Sequence, residues 1–275
     1  MVEFGLLALL GVALGAFGTL VGAGGGFLLV PILLFVYPDT PPDTITAMSL
    51  VVVCANAASG TVAYWRQRRI DLLTGALFAV ATLPGAVAGA ILVGYIPRQQ
   101  FNVIFAAALG AIGAWLLLSR QATAIRDPLT GRGVLRRRIT DHTGYTYVYG
   151  YRLWHGLSIS AVVGFVSSLL GIGGGIVHVP VMVVMLRFPV YVATATSHFV
   201  LALMALEATL VHVADGTLTW NIVLARSGAI AVGAIVGAQA GAYFSHRVRG
   251  DMILRALGGA LIIVAARLAW VAFSR

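Results

Sequence analysis

The 275-residue chain is 60% hydrophobic and 10% charged, with a mean hydropathy of +0.96. That leaves too little polar surface to coat a water-soluble globule, so soluble enzymes and soluble binding modules are excluded. The net charge of +9 comes from 18 basic residues, all arginine, against nine acids; the arginines sit mostly in loops between apolar runs, as the positive-inside rule expects, and nucleic acid is not an expected partner.

In chain order the apolar runs are Phe4–Val36, Thr44–Tyr64, Leu72–Ile96, Phe101–Leu118, Gly156–Leu186, Val192–Ala214, Trp220–Phe244 and Met252–Phe273. Each is long enough for a bilayer, which takes roughly 17–25 helical residues. The N-terminal run carries Glu3 and no arginine before it, so it reads as part of the fold and not as a signal peptide. As one straight helix it would be roughly 50 Å long against a hydrocarbon core of about 30 Å, so it cannot be a single straight span. Gly24-Gly25-Gly26 and Pro31 supply the break. With the break the segment crosses twice, crosses once with a kink, or turns back as a re-entrant hairpin.

The break occurs twice. Gly22-Ala23-Gly24-Gly25-Gly26 with Val30-Pro31 returns as Gly171-Ile172-Gly173-Gly174-Gly175 with Val179-Pro180, an offset of 171 − 22 = 149. Thr46-Ala47-Met48-Ser49 matches Thr194-Ala195-Thr196-Ser197, and Gly85, Gly89 and Gly110 match Gly233, Gly237 and Gly258. The chain therefore reads as repeat 1 (residues 1–118), a polar linker rich in Arg and Tyr (119–155) and repeat 2 (156–275). Matching loops change sign. Tyr37–Asp43 is acidic and its counterpart Arg187-Phe188-Pro189 basic, while Trp65–Arg69 is basic and Ala214-Asp215-Gly216 acidic. The expected fold is an all-α polytopic membrane protein of two inverted repeats, four hydrophobic segments each, the first of each broken or re-entrant at its glycine motif. The linker is then cytoplasmic. Its Arg136-Arg137-Arg138 cluster is expected to face anionic lipid, and its alternating Tyr145, Tyr147, Tyr149 and Tyr151 to form an interfacial belt, a short β-ribbon being the alternative.

The G-x-G-G-G-x-x-x-V-P pattern at Gly171–Pro180, the Ala195-Thr196-Ser197 after it and the degraded first copy resemble the TauE/SafE sulfite-exporter family of duplicated membrane transporters, over nearly the whole chain apart from the linker. The resemblance implies transport of small sulfur oxyanions or organosulfur acids across the bacterial inner membrane. The first copy departs from the second in having Met48 where the second has Thr196.

An anion fits the residues too. A helix broken in mid-membrane presents backbone N–H groups and a partial positive charge at the start of its second half, and Gly24, Gly25, Gly26, Gly173, Gly174 and Gly175 would let an oxyanion approach. The competing reading is close helix packing. Ser49, Ser197, Thr196 and Asn56 are further candidate substrate donors, against the ordinary role of bonding or bridging helices. Two groups are candidates for proton coupling. Glu207 lies inside an apolar segment and is either a proton relay or half of an ion pair with Arg226; His198 follows Ser197 directly and is otherwise a helix contact. Cys54, the only cysteine, reads as a small core residue. No Walker, zinc-ligand or G-x-S-x-G pattern is present, so no cofactor, metal or catalytic residue is expected and the chain reads as a non-enzyme. The reading is a secondary anion transporter; its rivals are an anion channel and, from another class, an intramembrane enzyme.

Overall fold

The computed structural model describes residues 2–118, 131–218, 222–245 and 247–273. The start of the predicted linker (119–130) and Trp220 lie outside the described residues. Among the described residues ten α-helices run α1 (Val2–Val21), α2 (Gly26–Val36), α3 (Pro42–Arg66), α4 (Leu72–Val93), α5 (Arg98–Leu118), α6 (Leu153–Leu170), α7 (Gly175–Pro180), α8 (Val190–Ala214), α9 (Ile222–Ser245) and α10 (Gly250–Phe273). Eight of these, all but α2 and α7, are long and apolar enough to cross a membrane, making this a multi-pass membrane protein. A π-helical turn, Val181–Met185, extends α7 beyond Pro180.

The 33-residue first run is two helices and it turns back. α1 ends at Val21, and α2 restarts behind Gly25, whose φ of 81° is left-handed. α2 then returns to the level where α1 began, so the Tyr37 hydroxyl meets Glu3 at 3.3 Å. The second run behaves likewise at the far end of α3. There α6 starts at Leu153, and after α7 the chain comes back to Phe188, whose ring lies 5.0 Å from that of Tyr151 just ahead of α6. Each run is thus a helical hairpin whose tip is the glycine break.

The hairpins are held by helices far away in sequence. On α9, Gly233, Gly237 and Gly241 lie against the backbone of Ala8, Val12 and Ala16 of α1, so closely that a Cβ would fall on a carbonyl oxygen. On α4, Gly85 and Gly89 meet Ala161 and Phe165 of α6 in the same way. The contacts advance together along both members of each pair, so these helices run parallel. In a bilayer, where lipid tails compete with any apolar surface, such small-residue faces gain from close van der Waals packing. The third helix pair, α5 with α10, and the central pair, α3 with α8, complete the bundle.

The linker corrects an expectation. Its described part is a β-ribbon, β1 (Val134–Thr140) antiparallel to β2 (Thr146–Arg152), with Arg137 opposite Tyr149. Alternate residues of a strand share a face, so Tyr149 and Tyr151 are buried together; Tyr145 precedes the strand and is exposed. The tyrosines that would have formed a membrane belt pack inward, Tyr149 and Tyr151 against Phe188. Arg137 likewise turns into the protein, and only Arg136 and Arg138 of the arginine cluster are exposed.

Candidate functional site

The two hairpin tips cross at the centre of the bundle, backbone on backbone. A Cβ on Gly26 would lie 2.6 Å from the Ile172 oxygen, and one on Gly175 would lie 2.7 Å from Ala23 Cα. Gly22, Gly24 and Gly25 (φ 80°, 74° and 81°) and Gly171 and Gly173 (φ 63° and 69°) take the left-handed backbone that side chains disfavour. Gly24 and Gly173 both press on the same two residues, Val53 of α3 and Leu201 of α8. Gly174 differs: its φ of −57° is ordinary, and a Cβ there would meet only Met204 and Val163, each at 3.4 Å.

α3 and α8 clamp the tips, each holding the tip of the other half. The Ser49 hydroxyl donates to the Gly171 oxygen at 2.7 Å, and the Ser197 hydroxyl to the Gly22 oxygen at 3.4 Å. The structure brings both predicted serines to the tips with their protons directed at these backbone oxygens. Thr46 and Thr194 bond their own helices. Thr196 stands apart, accepting from the Asp71 backbone N–H at 3.0 Å.

Beside the first tip lies a buried polar group that the sequence reading only half found. The Thr19 hydroxyl, one residue from Gly18 where Gly25 packs, donates to Asn56 Oδ1 at 3.1 Å and lies 3.2 Å from His198 Nε2. The Tyr64 hydroxyl donates to the Thr19 carbonyl at 2.7 Å, and its ring meets the His198 imidazole edge-on. Asn56 Nδ2 is buried without a partner, as are the hydroxyls of Ser167 and Ser168 in the last turn of α6 before the second tip. An unmet buried polar atom costs about 1–3 kcal/mol, so three beside the same pair of tips call for an explanation. A signal for Ser168 was present: it corresponds to Thr19 at the repeat offset, 168 − 19 = 149.

The ion pair of Glu207 with Arg226, one of the two readings offered for Glu207, is not formed. Arg226 lies near the start of α9, level with the start of α1, and its Nε is 2.8 Å from Glu3, with the guanidinium over the Tyr37 ring. Glu207 keeps a buried Oε2 without a partner. His178, buried on α7, pairs with the Ser160 hydroxyl at 2.9 Å. Among the described residues no group of three or more His, Cys, Asp or Glu is placed to hold a metal.

At the arginine-rich end the ribbon is locked to the bundle through Asp71, a position the sequence reading passed over. Asp71 caps α4 and is fully buried. It accepts from Arg137 Nη2 at 2.7 Å and Nε at 2.8 Å, from the Tyr149 hydroxyl at 2.6 Å and from the Thr74 hydroxyl at 2.7 Å. Burial alone would raise its pKa, but the hydrogen bonds from Arg137, Tyr149 and Thr74 outweigh that and hold it below the ordinary 3.8. Burial and the nearby Asp71 push the Tyr149 phenol up, so it stays a donor.

The description Sulfite exporter TauE/SafE matches residues 7–268. The chain is 31% identical over 272 residues to the Probable membrane transporter protein YunE of Bacillus subtilis (strain 168), covering 97% of each protein. It is 27% identical to a Probable membrane transporter protein of Xylella fastidiosa (strain Temecula1 / ATCC 700964), over 98% of this chain and 95% of that one. It is 24% identical to the Probable membrane transporter protein YfcA of Escherichia coli (strain K12), over 90% and 81%. No solved structure matches. With a motif-bearing hairpin opening each half of the match and coverage of almost every residue, the chain belongs to the sulfite exporter TauE/SafE family.

Proposed function

We propose that the chain is a secondary transporter of small anions, of the sulfur-oxyanion or organosulfur-acid type, in the bacterial inner membrane. Its halves are inverted repeats and its substrate site lies at the crossed tips. Inversion is supported by the hairpins, since α1 and α2 meet at one end of α3 and α6 and the chain after α7 at the other, and by the reciprocal serine clamps. The class of substrate is what the family description suggests, and the site chemistry suits an anion.

The observation that carries the reading is the set of unmet polar atoms around the tips. Gly26 and Phe27, the first residues of α2, follow a break, so their amides have no partner within the helix and lie at the positive end of its dipole. Asn56 Nδ2 and the hydroxyls of Ser167 and Ser168 are three further donors without acceptors. A small oxyanion has several acceptor oxygens and would satisfy such a set. Gly24, Gly25 and Gly26 with Gly173, Gly174 and Gly175 form the backbone of the site, and Ser49 and Ser197 brace it. Thr196 acts at one remove, through the Asp71 cap. His198 and Glu207, two of the titratable groups on α8, are the candidates for proton coupling.

The test is a thermal-shift screen of the purified protein against sulfite, sulfate, thiosulfate, sulfonates and carboxylates, followed by flux in proteoliposomes. The expected result is stabilisation by a sulfur anion, and saturable flux of it stimulated by anion on the far side. Flux that neither saturates nor is stimulated from the far side means a channel; stabilisation by carboxylates alone removes the sulfur assignment.

A further inference from the structure

A cavity lies well away from the tips, between α2, α5 and α10 near the Glu3 end of the bundle. It holds about 310 Å³ and its wall is mostly hydrocarbon, including Pro31, Phe35 and Ile263; the polar atoms come from Arg98, Asn102 and Arg267. We propose that this cavity binds an anionic phospholipid, with the headgroup phosphate on Arg267 and part of an acyl chain along the apolar wall.

Arg267 is the reason to expect an anion. It lies inside the apolar span Gly250–Trp270, close to its end, where a guanidinium is costly unless it is paired or reaches water or a headgroup. Among the described residues no carboxylate pairs with it; its guanidinium rests 5.1 Å from the centre of the Phe35 ring. Among the described residues the other arginines of this end are committed. Arg226 pairs with Glu3, and Arg98 donates to the carbonyls of Thr40 at 2.5 Å and Leu34 at 2.7 Å. Arg98 therefore contributes a fixed positive charge to the rim and leaves Arg267 to bind the phosphate.

The rest of the cavity selects a lipid over a water-loving ion. Phe35 and Ile263 are 67% and 71% exposed on the outer surface of the bundle, so the opening faces hydrocarbon. Trp270, 76% exposed and about one turn beyond Arg267, is the kind of side chain that settles at the headgroup layer. Arg267 is thus placed just inside that layer, at phosphate depth. Asn102 has a buried Oδ1 with no partner, an acceptor that a headgroup hydroxyl would satisfy. A phosphate, a hydroxyl and an acyl chain together describe phosphatidylglycerol better than phosphatidylcholine, whose headgroup has no donor and no net charge.

The full-length protein in detergent, delipidated, is titrated with phosphatidylglycerol, phosphatidylcholine and glycerol 1-phosphate, and retained lipid is read by native mass spectrometry alongside the melting temperature. The expected result is retention and a rise in melting temperature with phosphatidylglycerol alone. Arg267→Gln should weaken retention at least fivefold, Arg267→Lys should recover part of it, and Leu28→Trp, which fills the cavity without touching a charge, should also abolish it. Equal retention of both lipids, equal stabilisation by glycerol 1-phosphate, or unchanged retention in both Arg267→Gln and Leu28→Trp overturns the proposal.

Discussion

Asp71 shows how much of a buried charge can be decided far from its own neighbourhood. In the sequence it is a helix cap after a basic loop, and Arg137 lies 66 residues away across a linker, so no local pattern announces the pair. Ser49 and Ser197, by contrast, were legible, because duplication marks them twice. Removing one partner of a buried ion pair leaves the other charge without compensation, typically at about 3–5 kcal/mol. Arg137 keeps 25% of its side chain exposed, so the lower end applies. Arg137→Gln is expected to lower the melting temperature in detergent by several degrees, whereas Arg136→Gln, on the other face of the same strand, stays within about 0.5 kcal/mol of the parent. The pH sign follows from a carboxylate held below 3.8 in the fold. Its contribution is complete above that ordinary value and is lost as pH falls through the depressed folded one. Ribbon protection from proteolysis should hold from neutral pH to about pH 4 and fail only under stronger acid; loss near pH 6 would assign the lock to another group. Glu207 takes a different test. Glu207→Gln keeps the shape but cannot titrate, and the expected outcome is preserved anion exchange with loss of the dependence of net flux on a pH gradient. Unchanged pH dependence would leave Glu207 outside the coupling mechanism.

At the scale of elements, the hairpins were half legible. The length of the first run ruled out a straight span, and the glycines located the break, but the direction taken by α2 depends on where Tyr37 finds Glu3, a contact between the two ends of the run. The ribbon was misread for a related reason. A period of two is shared by a membrane belt and a strand, and what decides between them is whether something waits to be covered, here Phe188 and Asp71. The tips allow the packing and binding roles of the glycines to be separated. Gly175→Ala drives a Cβ into the backbone of the opposite tip and is expected to lower both protein level and stability. Gly174→Ala places its Cβ at ordinary contact distance from Met204 and Val163. It should leave the melting temperature within a degree or two while weakening anion stabilisation several-fold. Wild-type anion response in Gly174→Ala at normal stability would move the binding site away from that tip.

For the whole molecule, the loop charges carried the arrangement furthest, since the sign of each loop can be read without knowing any contact. They predict that the ribbon end is cytoplasmic. A single cysteine at Arg132 should resist a membrane-impermeant label applied to intact cells and one at Thr40 should react, both in the cysteine-free background; reaction of both from outside sinks the inverted arrangement. What no charge pattern conveyed is that the halves are interleaved, with α1 seated on α9 and α6 on α4. That interleaving has a consequence for how the protein is made. The helix that receives α1, α9, begins 222 − 21 = 201 residues after α1 ends. At roughly 5–20 residues per second of synthesis, the first hairpin waits about 10–40 s for its partner. For most of that interval its tip, with its left-handed glycines, has neither the second tip nor α8 to cover it, because both are made only shortly before α9. The nascent chain is thus expected to lean on an insertion factor until α9 emerges, and a fragment ending before α9 should be degraded in the cell.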